Sequence, residues 1–155
     1  MQINLIAVGN KMPSWVESGY AEYAKRLPPG YLLKLIEITP EKRTKQADIQ
    51  RITEKEGDKI LAAIKPGNLV IALDVLGQAW PTERLAKALQ TWHSESRDVD
   101  LLVGGPDGLS KAALQKAEIK WSLSPLTLPH PLVRIILAEQ LYRAWSILHN
   151  HPYHR

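Results

Sequence analysis

Short β-branched runs alternate with helix-length amphipathic stretches from one end of this chain to the other. Strands spaced that far apart cannot be joined by hairpins. They need crossovers, and crossovers give a mostly parallel sheet with helices on both faces. The strands are read at Ile3–Val8, Tyr31–Ile38, Leu69–Leu73, Val99–Val103 and Lys120–Ser124. Leu69–Leu73 is apolar throughout, as a strand covered on both faces should be. Pro13 and Ser14 open the first helix, with Ser14 and Glu17 spaced as a capping box. Val16, Tyr20, Tyr23 and Leu27 follow at helical spacing until Pro28-Pro29-Gly30 ends it. A second helix spans Asp48–Ile64, and a third is capped by Thr82, with Leu85, Leu89 and Trp92 on one face. A short fourth begins at Ser110. No repeat or linker interrupts the series, so residues 1–155 are read as one α/β domain.

The carboxyl-terminal part departs from the alternation. Pro125, Pro129 and Pro131 restrict the backbone closely enough that 125–131 is read as an ordered, non-helical loop. The helix Leu132–Leu148 then carries apolar side chains around most of its circumference. Such a helix must be covered on more than one side. It threads into the core, meets a second subunit, or both.

Composition narrows the chemistry. Apolar residues make up 45% and charged residues 23%, which describes a globular domain. With no cysteine, disulfides, thiolate metal sites and a cysteine nucleophile are excluded. The amino terminus carries no basic leader and no apolar run reaches the ~18 residues of a membrane span, so a cytoplasmic location is expected. A formal charge of +4 leans toward a polyanionic partner.

Two segments could hold a ligand. Gly104-Gly105-Pro106-Asp107-Gly108 follows a strand and precedes a helix, where open parallel sheets bind ligands. It equally suits a tight turn with no ligand. Neither a dinucleotide fingerprint nor a P-loop is present, so a ligand there would be neutral or cationic rather than a polyphosphate. Leu123 to Pro131 is stiff and presents backbone amides between leucines, which suits a flat aromatic ring such as adenine. It also suits a plain connection. His93, His130, His149, His151 and His154 show no ligand spacing, so no metal is expected, and His93 is read as a surface residue. The end of the chain, Pro152-Tyr153-His154-Arg155, offers groups that stack on a base, exchange a proton and bind phosphate.

Gly104–Gly108, Leu123–Pro131, Glu139–Ala144 and Pro152–Arg155, in this order and spacing, resemble the ribosomal large-subunit pseudouridine N3-methyltransferase family, a minimal branch of the SPOUT superfamily. Ala7-Val8-Gly9, Lys42-Arg43 and Leu73-Asp74 extend the likeness along the whole chain. The resemblance implies a SPOUT-type α/β knot, with a trefoil formed by about residues 100–155, and a homodimer packed through the terminal helix. It implies S-adenosylmethionine as cofactor, lined by Leu73, Gly104, Gly105, Leu123, Ser124, Pro125, Leu126, Thr127 and Leu128. The substrate it implies is 23S ribosomal RNA, on assembled ribosomes. Two positions depart from the family: Asp107 stands where glutamate is usual, and Pro125 replaces a small or polar residue and has no N–H to offer adenine.

Methyl transfer from a sulfonium needs positioning and removal of the imide N3 proton, without a metal. His154 is expected to take that proton and Tyr153 to stack on or orient the base. Arg155 and Arg143 would hold phosphate or the developing imide charge, and His130 is the rival base. The tail follows the interface helix, so it is placed to complete the opposite subunit's site. Two other readings remain: a non-catalytic ribosome-binding knot protein, and a nucleotide-binding oxidoreductase.

Overall fold

The computed structural model describes residues 1–155. Strands β1 (Gln2–Val8), β2 (Leu32–Ile38), β3 (Leu69–Ala79), β4 (Val99–Val103) and β5 (Ile119–Ser122) form one parallel sheet in the order β2-β1-β4-β3-β5. Between and after them run α1 (Ser14–Ala24), α2 (Ile49–Ala63), α3 (Thr82–Ser94), α4 (Lys111–Lys116) and α5 (His130–Leu148), and a 3₁₀ turn closes the chain at Pro152–His154.

Alternation along the strands divides the core in two. Ile3, Leu5 and Ala7 of β1 point, with Leu101 of β4 and Ile71 of β3, toward Leu85 and Leu89 of α3 and Leu137 and Leu141 of α5. Ile6, Val8, Val70 and Leu102 point the other way, onto Ile60 of α2 and Ala113 of α4. A charge in the central strand is fully satisfied: Asp100, 0% exposed, accepts from Asn4 Nδ2, Asn68 Nδ2 and the Lys65 N–H. That carboxylate ties the turn before β3 to the sheet.

Several local expectations change. Ser14 and Thr82 are not caps. Each is the first residue inside its helix, preceded by a proline whose carbonyl accepts the opening bonds, and neither helix has a side-chain cap. Thr82 instead donates its hydroxyl to Gln140 of α5 at 2.8 Å. The loop read as ending at Pro131 ends at Pro129, because proline needs no N–H partner in a first helical turn and fits there without a clash. β3 runs six residues past Leu73, with a bulge between Leu73 and Gln78 opposite Trp121. His93 is exposed as expected, and stacks on Tyr31 at 4.5 Å.

Candidate functional site

The carboxyl ends of β4 and β5 and the middle of β3, where its bulge begins, converge on a cavity of about 560 Å³, a size typical of small-molecule sites. β3 supplies Leu73, Asp74 and Val75, and β4 with its turn supplies Val103, Gly104, Gly105, Pro106 and Gly108. Trp121 of β5 and the loop residues Leu123, Ser124, Leu126, Thr127, Leu128 and Pro129 form the facing wall. His130 and Val133 of α5 close the floor.

The glycines are there for space. A Cβ on Gly104 would lie 2.5 Å from the Gly108 carbonyl carbon, so the turn can fold back on itself only without one. Gly108 sits at φ +78 and donates its N–H to the Gly105 carbonyl at 3.0 Å. Arg43 then fixes this turn from outside. Its Nε donates to Asp107 at 2.8 Å while its two terminal nitrogens donate to the buried Glu56 at 2.9 and 3.0 Å. The shorter acid at position 107 therefore still reaches its arginine. Carboxylates on both sides hold the Arg43 guanidinium above its ordinary pKa, so it is a permanent cation.

On the opposite wall, Ser122 Oγ donates to the Ser124 carbonyl and Ser124 Oγ accepts from the Leu126 N–H at 2.9 Å. That serine turn puts Pro125 at its centre, exposed to solvent. Of the expected cofactor residues, Leu73, Gly104, Gly105, Leu123, Ser124, Leu126, Thr127 and Leu128 line the cavity, and Pro125 does not. Sequence reasoning missed Trp121, which as an indole in a strand is marked only as a core residue.

An adenosyl sulfonium fits what the walls offer. No Lys or Arg lines the cavity, and its one carboxylate, Asp74, favours a cationic ligand over a phosphate. Trp121 Nε1 and His130 Nδ1 are both buried without a hydrogen-bond partner. Leaving each unpaired costs on the order of 1–3 kcal/mol. Burial, then the nearby Arg134 and Arg43 cations, push the His130 imidazole below its ordinary pKa. It is accordingly neutral at physiological pH.

The five residues expected to carry catalysis are not together within one chain. Only His130 lines the cavity. Arg143, Tyr153, His154 and Arg155 lie where the tail folds back along α5. Tyr153 donates its hydroxyl to Glu139 at 2.9 Å, and Arg143 holds the same carboxylate oxygen at 2.7 Å while covering the Tyr153 ring. Ser146 Oγ donates to the His151 carbonyl, which leaves it to accept from His154 Nδ1 at 2.7 Å. The proton is thereby assigned to Nδ1 of His154, and Nε2 is left as the free acceptor. The tail is a docked structure, contrary to the frayed end that is usual for a terminus.

The family described as "Predicted SPOUT methyltransferase" matches residues 1–154. A curated relative from Methylococcus capsulatus, Ribosomal RNA large subunit methyltransferase H, is 58% identical over 155 residues, covering 100% of each chain. A solved Bordetella pertussis protein described as a "Probable Methyltransferase" shares the fold at 17% identity and TM-score 0.59, over 92% of this chain and 95% of that one. A Legionella pneumophila protein described as a "putative methyltransferase" and solved with the cofactor SAM shares it at 13% identity and TM-score 0.50, over 96% of this chain and 66% of that one. The chain belongs to the SPOUT methyltransferase family.

Proposed function

We propose that this protein methylates N3 of a pseudouridine in 23S ribosomal RNA on assembled ribosomes, using S-adenosylmethionine and acting as a homodimer in the cytoplasm. The observation that carries the reading is the cavity at the Gly104–Gly108 turn, with one carboxylate and no cation. The substrate class comes from the full-length relative, whose name makes it a large-subunit ribosomal RNA methyltransferase. The bound cofactor would supply a sulfonium methyl for in-line displacement. Asp74 would face the cationic end, while Leu123 and Leu128 cover the ring.

The separation of the tail from the cavity supports a site completed between subunits. In that arrangement His154 of one chain presents Nε2 to the imide proton, Tyr153 orients the base, and Arg143 and Arg155 face phosphate or the developing negative charge. Neutral His130 sits on the cofactor side and is the alternative acceptor. The return of α5 from edge strand β5 to pack between α1 and α3 supports the knotted path over about residues 100–155.

Incubating ribosomes with the protein and S-adenosylmethionine should place one methyl group on a 23S pseudouridine, read by mass spectrometry of nuclease digests. Calorimetric binding of NAD with none of S-adenosylmethionine, or RNA recovered unmodified, would refute the assignment. For the dimer, light scattering should give about twice the 17.4 kDa chain mass. Trp15 of α1 is 57% exposed and Leu132 of α5 is 37% exposed. A charge at such a contact would be buried unpaired, so Trp15→Glu should shift the protein toward the chain mass. A wild-type monomer at micromolar concentration would sink the dimer.

A further inference from the structure

The strongest charge feature outside the cavity is a groove between the loop after β2 and helix α2. It is lined by Lys42, Arg51, Lys55 and Lys59 against the two carboxylates Glu41 and Asp48. Both acids are occupied. Glu41 pairs with Lys59 at 2.9 Å, and Asp48 accepts from the Arg51 backbone N–H as the α2 cap. Lys42, Arg51 and Lys55 have no acidic partner within ion-pair distance, and neither does nearby Lys45. Arg51, Lys55 and Lys59 are spaced four residues apart, in one row along the helix, where like charges repel each other. Glu54 and Asp58 share that helix and bond to none of these cations. The row thus costs stability that a bound polyanion would return.

The groove also has a defined relation to the cavity. Its loop leaves the carboxyl end of β2 as the glycine turn leaves the carboxyl end of β4, with only β1 between them in the sheet. Arg43 of the loop reaches that turn through Asp107, and its Nη2 lies 3.6 Å from where a Cβ on Gly105 would stand. One side chain separates the groove from a residue lining the cavity. Arg43 itself is fully engaged, so it fixes the spacing and leaves Lys42, Arg51 and Lys55 to bind.

We infer that this groove docks the sugar-phosphate backbone of the RNA substrate, with Lys42, Arg51 and Lys55 as phosphate contacts that set the distance between the held strand and the methyl donor. The inference rests on the reading of this protein as an RNA methyltransferase and adds a second RNA surface, apart from the tail. Phosphate contacts position a strand without reading its sequence, which suits a row of flexible cations beside a specific cavity.

The test compares Lys42→Gln/Lys55→Gln with wild type and with Lys87→Gln, which removes an exposed cation from α3 on the other face of the sheet. Direct binding to protein-free 23S RNA is measured across salt concentrations, alongside methylation kinetics on ribosomes and calorimetry with S-adenosylmethionine. The double variant should bind RNA about ten-fold more weakly near 0.1 M salt and lose about 1.4–1.8 from the log–log salt slope, the share of two phosphates. Its KM for ribosomes should rise with kcat retained, and Lys87→Gln should behave as wild type. An unchanged slope for the double variant overturns the groove, as does an equal loss in Lys87→Gln, which would mean a net-charge effect. Weaker ribosome binding with unchanged affinity for protein-free RNA would make the partner an acidic protein surface and overturn it too. Failure of wild type to methylate ribosomal RNA would instead refute the catalytic reading, and the RNA-binding arm would still decide the groove.

Discussion

Deleting Pro152–Arg155 is expected to cut methylation of ribosomes about 100-fold, the lower scale for losing a positioned acid or base, with S-adenosylmethionine binding unchanged. The truncation should leave the fold in place because nothing it exposes is stranded. Glu139 keeps Arg143, and Ser146 keeps the His151 carbonyl as its acceptor. What goes is the Tyr153 ring on Tyr142, at 4.6 Å, and the His154 imidazole, together about 1–3 kcal/mol. His154→Ala alone should approach the same loss if Nε2 takes the proton. That loss should shrink as pH rises, since the imide then ionises without help. Tyr153 provides the contrast. Burial and the adjacent Glu139 carboxylate push its phenol up to about 12, so it stays protonated and is no base. Tyr153→Phe should keep the shape of the pH profile and lose less rate than Tyr153→Ala. A truncated protein methylating at the wild-type rate would move the proton acceptor to His130.

The parallel sheet was legible because its signal is periodic and local. β-branched runs at Ile3–Val8 and Val99–Val103 lie where alternation alone puts them, and the Asp48–Ile64 helix is right to within a residue at each end. The errors arise where a neighbour in space overrides local chemistry. Ser14 and Thr82 look like caps, yet Pro13 and Pro81 already provide the carbonyls that start each helix. β3 looks finished at Leu73 because Asp74-Val75-Leu76-Gly77 breaks the apolar run; only β5 alongside, at Trp121 and Ser122, restores its pairing. A Cβ at Gly77 would come 2.6 Å from the Lys120 backbone, so that glycine marks a strand contact invisible from sequence.

The site was legible in a different way. Glycine turn, proline-rich loop and tail were each found by residue type, and resemblance supplied their common purpose. Sequence order, however, says nothing of which residues share a cavity. His130 sits with the cofactor wall, while Arg143 and Tyr153 meet Glu139 farther along the same helix. Trp121 escaped because an indole in a strand reads as core, and Asp74 figures only within the Leu73-Asp74 strand end, with no ligand role. Only their place in the wall of a cavity that holds no cation gives them a role.

Gly104→Ala should abolish detectable cofactor binding, a loss of at least about 100-fold or ~2.8 kcal/mol. One added methyl suffices because its neighbours are backbone: the Gly108 carbonyl carbon at 2.5 Å, its oxygen at 2.7 Å and the Leu109 nitrogen at 2.8 Å. No rotamer change relieves such contacts, so the turn must open. Opening pulls Asp107 from Arg43 and shifts Gly105 and Pro106 out of the cavity wall. Gly105→Ala is the graded comparison. Its Cβ would meet Val8 Cγ1 at 3.1 Å, a side-chain atom that can move by tenths of an ångström, and the expected loss is below ten-fold. Gly67→Ala controls for stability, since it has nothing within 4 Å but lies at φ +85 in an exposed turn. It should lower the melting temperature through about 1 kcal/mol of backbone strain and leave calorimetric binding alone. Should Gly104→Ala bind S-adenosylmethionine within three-fold of wild type, the cavity at the Gly104–Gly108 turn is not the cofactor site.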